Sequence, residues 1–68
     1  MTLHYVDADD QLLDTITLAD GRLAYDTGAA RPVLESLRAR TPDGSDRGVF
    51  AALAEGGWSN GYATIRPA

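Results

Sequence analysis

The side chains best suited to metal chemistry are His4 and the carboxylates of the segment Asp7-Ala8-Asp9-Asp10. His4 is the only histidine and the chain has no cysteine, so a zinc site would consist mostly of carboxylates, which suit that metal poorly. The acidic segment suits a hard cation, but Gln11 and Leu12 stand where an EF-hand loop requires a further acid and a glycine. We therefore predict a strand or surface position for His4, a solvated turn at residues 7–10, and no metal site.

Two further patterns are compatible with covalent catalysis or phosphate binding. Residues 57–61 have the spacing G-x-S-x-G around Ser59, but the one histidine could serve only one serine as a base. The segment Gly44-Ser45-Asp46-Arg47-Gly48 lacks the Gly-Lys-Ser/Thr signature, and its aspartate would repel a phosphate. We predict that Ser45 caps a helix, and that the protein has neither catalytic residues nor a cofactor.

Arginine supplies all six cations of the chain. A nucleic-acid patch would use Arg31, Arg38, Arg40 and Arg47, but phosphate-binding surfaces usually have a basic charge balance. This chain carries a net charge of −4, and Glu35 lies between two of the arginines. The sequence therefore favours a salt-bridged outer face of a helix over a nucleic-acid site.

Trp58 and Tyr62 form the candidate partner-binding surface. Trp58 is the only tryptophan and follows Gly56-Gly57. Because Trp and Tyr dominate interface hot spots, we expect docking or self-association through an apolar strip near these two residues. The alternative is that Trp58 closes a thin core together with Phe50. Partial burial of Trp58 would satisfy both interpretations.

Negative charge is concentrated near the N-terminus, where residues 1–28 contain six aspartates and one arginine. Five of these acids are predicted at turns or strand ends and could form one hydrated rim: Asp7, Asp9, Asp10, Asp20 and Asp26. Such a rim would speed association with a basic partner surface. Asp7, Asp9 and Asp10 are therefore candidate partner-binding residues. The alternative is that they provide only solubility and turn formation.

The length of 68 residues predicts a single domain over 1–68, with one thin core and little room for a deep enzyme cleft. No apolar run approaches the length of a membrane span, and the first residues lack the features of a signal peptide. The absence of cysteine favours an intracellular protein. We expect a small acidic, non-enzymatic protein in the cytoplasm, without membrane contact.

The dipeptide Asp20-Gly21 between two alternating segments predicts a type I′ β-hairpin. Its register places two apolar pairs on one face: Leu18 with Leu23, and Ile16 with Tyr25. Thr2 to Val6 has the composition of a further strand, which the turn at residues 7–10 follows. Together these segments predict a three-stranded antiparallel meander.

Beyond Gly28 the apolar residues recur at helical spacing. The first predicted helix has Pro32 in its first turn and stops at Thr41-Pro42. The second is capped by Ser45 and ended by Gly56-Gly57. The helix residues expected to cover the hairpin are Val33, Leu37, Phe50 and Leu53.

The segment from Tyr62 to Arg66 alternates and is rich in β-formers, which predicts a C-terminal strand after a turn at Asn60-Gly61. In the alternative, residues 46–66 form a helix-turn-helix, although Gly61 and Pro67 disfavour a helix there. The predicted fold class is α+β, with a small three-stranded antiparallel meander, two short helices and a C-terminal strand in the order β-β-β-α-α-β.

Two stretches, LAYDTGAAR at residues 23–31 and GWSNGY at residues 57–62, resemble those in short uncharacterised proteins of actinobacterial phages and prophages. They cover about a fifth of the chain and are separated by a charged helical segment, as in that family. The resemblance implies an origin in a mobile element, and a location in the virion if the protein is a phage component. It brings no known active residue.

These features predict a non-catalytic protein-interaction module that serves as an accessory or virion component of a phage or prophage. One alternative is a DNA-associated regulator with the helix-turn-helix at residues 46–66. Another is an acidic inhibitor of a nucleic-acid-binding host protein. We expect a protein partner with a basic surface and association between copies of the chain, and we do not expect nucleic-acid binding.

Overall fold

A computed structural model describes residues 1–68 and contains five strands and two helices. In chain order they are β1 (Thr2–Asp7), β2 (Leu12–Ala19), β3 (Arg22–Tyr25), α1 (Arg31–Arg38), α2 (Asp46–Gly56), β4 (Trp58–Ser59) and β5 (Ala63–Pro67). The strands form one antiparallel sheet in the order β3-β2-β1-β5-β4. The α+β class is confirmed, and the sheet has one strand more than predicted.

The predicted hairpin forms with the expected register. Leu18 lies opposite Leu23, and Ile16 lies opposite Tyr25. Asp20 and Gly21 both have positive φ, at 53° and 76°, as a type I′ turn requires. The agreement arises because the turn chemistry and the alternating apolar pattern independently select the same register.

The core lies between one face of the sheet and the two helices. From the sheet, Leu3, Ile16 and Ile65 are fully buried. The helices contribute Leu34, Val49, Phe50 and Leu53. The partly buried residues Leu18, Leu23, Tyr25, Val33 and Leu37 pack against this cluster, which confirms the predicted packing of the helices on the hairpin.

The helix signals are confirmed, apart from the end of α1. Pro32 lies in the first turn of α1, and Ser45 caps α2 by accepting a hydrogen bond from the N–H of Gly48 at 3.1 Å. Gly57 ends α2 with a positive φ of 66°. Helix α1 ends at Arg38, earlier than the predicted stop at Thr41-Pro42.

The helical alternative for the C-terminus is wrong. All of β5 pairs with β1, from Ala63 opposite Asp7 to Pro67 opposite Leu3. β4 pairs with β5 through Trp58 and Ser59, so no second helix of a helix-turn-helix exists within residues 46–66. No helix of the structure is long and apolar enough to cross a membrane.

Candidate functional site

The main concave surface is an open groove of about 660 Å³ beside the C-terminal end of α2. Its lining includes Ala54, Gly56, Gly57, Trp58, Ile65 and Pro67. Glu55 and Arg66 are its two charged lining residues. We call this surface the Trp58 groove.

The structure places Trp58 in the wall of this groove. Its side chain is half-buried and packs against the core cluster, a position compatible with both the core and the interface interpretation. Tyr62 is 80% exposed in the turn between β4 and β5 and does not line the groove. The groove thus contains one of the two aromatic residues proposed for partner binding.

The turn between β1 and β2 uses two of its three carboxylates internally. Asp7 Oδ1 accepts hydrogen bonds from the N–H groups of Asp9 and Gln11, both at 2.9 Å. Asp10 forms an ion pair with Arg66 at 2.5 Å. Asp9 is exposed and its carboxylate accepts no hydrogen bond within the chain, so it is the carboxylate of this turn that is open to a partner.

The five N-terminal acids do not form one rim. β2 has eight residues between the two turns, so Asp20 lies about 25 Å from the acidic turn at residues 7–10. Asp26 follows β3 and donates its N–H to the carbonyl of Thr15 at 3.0 Å. The expectation of a single negative surface is therefore wrong for Asp20, because β2 separates its two turns.

Only one arginine of the proposed salt-bridged helix face is paired. Arg38 contacts Asp46 at 2.6 Å and Glu35 at 3.5 Å. Arg31 instead lies over the ring of Tyr25, with Cζ 4.5 Å from the ring centroid, a cation–π geometry. The other two arginines of that group, Arg40 and Arg47, form no ion pair within 4 Å.

Asp46 links the N-terminus of α2 to the edge of the sheet. Its Oδ2 accepts the N–H of Leu23 at 2.9 Å, and its Oδ1 accepts from Arg38 at 2.6 Å. These two contacts lower the pKa of Asp46. Because unpaired edge N–H groups invite pairing with other chains, Asp46 also blocks part of the exposed edge of β3.

Asp14 is the single buried polar residue, with 1% of its surface exposed. Its Oδ1 accepts the backbone N–H groups of Thr15, Asp26 and Thr27, and its Oδ2 accepts that of Ala30, all between 2.8 and 2.9 Å. Asp14 thereby joins β2 to the loop after β3 and to the N-terminus of α1. The sequence contained a signal for it, since Asp14 has the same strand parity as the buried Ile16.

The pKa of Asp14 predicts acid-sensitive stability. Burial alone would raise this pKa, but the four backbone N–H donors outweigh burial and hold it below the ordinary value. A lowered folded-state pKa gives stability that is present above the unfolded pKa of about 3.9 and is lost as pH falls through the folded value. We expect urea titrations to show the free energy of unfolding decreasing below about pH 5.

The matched comparison for this pH effect is Asp14→Asn. The amide cannot take up the proton, so the slope of stability against pH below about pH 4 should decrease by up to about 1.4 kcal/mol per pH unit. Identical slopes for the two proteins would show that other carboxyls cause the acid sensitivity.

The residues considered for metal or covalent chemistry lie apart from one another. His4 lies in β1 between Thr15 of β2 and Arg66 of β5, a strand position as predicted. Ser45 caps α2. No group of three or more His, Asp or Glu side chains is arranged to hold a metal ion.

Comparisons with known proteins give no relative for this chain. No family model matches it, and no curated protein or solved structure matches it either.

Proposed function

We propose that this chain is a non-catalytic protein-interaction module, and that its Trp58 groove binds an apolar segment of a partner protein. The observation that carries the proposal is the half-buried Trp58 in the wall of this open groove. Tryptophan is enriched among residues that dominate binding energy, particularly where a rigid ring is held in place beneath a partner. The core contacts of Trp58 provide that support.

The glycines of the groove favour access to the ring. A Cβ added at Gly56 would meet no atom within 4 Å, so the space above this residue is open. A Cβ at Gly57 would lie 3.1 Å from the carbonyl oxygen of Ile65. The absence of a side chain at Gly57 therefore allows the turn to lie close to β5. A volume of about 660 Å³ accommodates one or two large apolar side chains of a partner.

The resemblance to phage and prophage proteins supports a role as an accessory or virion component. One of its two stretches, residues 57–62, contains Trp58 and the turn before β5. The acidic-inhibitor alternative has weaker support, because Asp7 and Asp10 are already engaged within the chain. The Trp58 groove is therefore the binding surface with the stronger support.

The test combines capture with fluorescence. Proteins retained from an actinobacterial cell extract are purified and titrated into the chain, while the emission of Trp58 is recorded. Trp58 is the only tryptophan of the chain, so the emission that remains after subtraction of the partner's own signal reports on the groove. We expect a true groove partner to shift the emission to shorter wavelength as the ring loses water.

Two variants separate the groove from the rest of the surface. Trp58→Ala should weaken binding at least about thirtyfold, the equivalent of a hot spot of about 2 kcal/mol. Gly56→Leu fills open space at the groove without removing a core contact and should also weaken binding. Ser36→Ala, at an exposed residue on α1, is the control. Unchanged affinity in both groove variants would refute the proposal.

A further inference from the structure

One face of the sheet is not covered by helices. We call it the open face. Alternation from the buried Leu3, Ile16 and Ile65 places these residues on it: Thr2, His4, Val6, Thr15, Thr17, Ala24, Thr64 and Arg66. The register shift after Tyr5 brings Leu12 opposite Val6, which is itself only 4% exposed. Thr17 is central, with Thr2 opposite on one side and Ala24 on the other. Four of the six threonines of the chain therefore meet on a single surface.

The open face carries no carboxylate at any of its strand positions, although the chain has ten acidic residues. The nearest acids lie at its rim. Asp26 follows the end of β3, and Asp10 is neutralised by Arg66 at 2.5 Å. Two copies of this acidic chain, each with a net charge of −4, can therefore approach through this face without opposing carboxylates.

The chemistry of the open face also suits contact with itself. A threonine hydroxyl both donates and accepts a hydrogen bond, so threonines on two identical surfaces can satisfy each other about a two-fold axis. Thr2, Thr15 and Thr17 are half-buried by their neighbours, and β-branched side chains have restricted χ1 angles. Ordering them in an interface therefore costs little entropy. Leu12, opposite Val6 and 56% exposed, adds apolar surface.

We propose that the open face is a homodimer interface, in which two copies of the chain stack their sheets about a two-fold axis. The proposal is independent of the partner bound in the Trp58 groove. The groove shares Thr64 and Arg66 with one margin of the open face. Thr15 and Thr17 lie two strands away from that margin and are therefore the residues chosen for the test.

The size of the face sets the expected affinity. Five strands about 4.8 Å apart and about five residues long cover roughly 400 Å² in projection. Two pleated faces then bury on the order of 1,000 Å² of accessible surface, near the lower limit of specific interfaces. We expect a reversible dimer with a dissociation constant between about 10 µM and 1 mM.

Sedimentation of the whole chain from about 10 µM to 2 mM tests the proposal, with spectra of the ¹⁵N-labelled protein recorded over the same range. The expected result is a monomer–dimer equilibrium in which dilution shifts the amide signals of His4, Thr15 and Thr17. Thr17→Glu places one carboxylate from each copy in the interface and should weaken the dimer at least about tenfold. Ser36→Glu adds the same charge on the exposed side of α1 and should leave it unchanged.

The dilution spectra do not depend on any variant, so they decide the question even if Thr17→Glu folds poorly. A chain that stays monomeric up to about 2 mM overturns the proposal. Dilution shifts confined to Trp58 and its neighbours also overturn it, because they would place self-association in the groove. Equal weakening by Thr17→Glu and Ser36→Glu would show a general effect of charge and would likewise overturn it.

Discussion

Replacement of Asp14 by alanine is expected to destabilise the protein by about 3–5 kcal/mol, because it removes the side-chain acceptor of four backbone N–H groups, of which only that of Asp26 keeps another, the carbonyl of Thr15. Each lost bond to a charged group is worth about 1.5–3 kcal/mol, and the losses are not additive. A domain of 68 residues has a total stability of about 3–10 kcal/mol. Asp14→Ala should therefore lose between about a third and all of the stability of the protein at 25 °C.

Urea denaturation followed by circular dichroism measures this effect. Asp14→Asn retains an acceptor for the three N–H groups now bound to Oδ1, but its NH₂ group faces the N–H of Ala30. It should lie between the wild type and Asp14→Ala, at about 1.5–3 kcal/mol of destabilisation. Asp9→Ala, in an exposed turn, should change stability by less than about 0.5 kcal/mol. An Asp14→Ala protein as stable as Asp9→Ala would contradict this role for Asp14.

Local signals account for the parts of the fold that the sequence predicted. The hairpin at Asp20-Gly21 needs only a turn type and alternation, and the cap at Ser45 needs only the residues next to it. The C-terminal strand followed from its composition. Its pairing with β1 joins residues about 60 positions apart, and nothing in the local sequence selects that partner. The two-residue strand β4 lies at the edge of the sheet and has β5 as its only neighbour.

The candidate site was also predicted only where local sequence signals point to it. Glycines beside a lone tryptophan indicated Trp58 as a binding residue or a core residue, but the groove also requires Ile65 and Pro67 from a different strand. The role of Asp14 was not predicted, because an aspartate in a strand suggests an exposed position. Its four donors come mainly from the loop after β3, whose path the sequence does not show. The separation of Asp20 from Asp9 follows from strand length and was available from the sequence.

Gly48→Ala is the second substitution expected to have a large effect on stability. We expect it to destabilise the protein, although helix propensity alone would predict stabilisation. In an ordinary helix, alanine is more stable than glycine by about 1 kcal/mol. At Gly48 a Cβ would overlap the backbone carbonyl of Asp43 and lie 2.6 Å from its Cγ. Relief requires movement of Asp43, whose carboxylate accepts the N–H of Ser45 at 3.1 Å, and this movement disturbs the cap of α2. We expect a net destabilisation of about 2–4 kcal/mol.

Gly56→Ala is the matched control, since it makes the same substitution in the same helix. A Cβ at Gly56 meets no atom within 4 Å, and this residue is the last of α2, so stability should be unchanged or increased by up to about 1 kcal/mol. The urea midpoint of Gly48→Ala should therefore decrease, whereas that of Gly56→Ala should stay the same or increase. A Gly48→Ala protein at least as stable as Gly56→Ala would mean that the chain from Asp43 to Ser45 shifts away without loss. The close approach of Asp43 would then not be what excludes a side chain at this position.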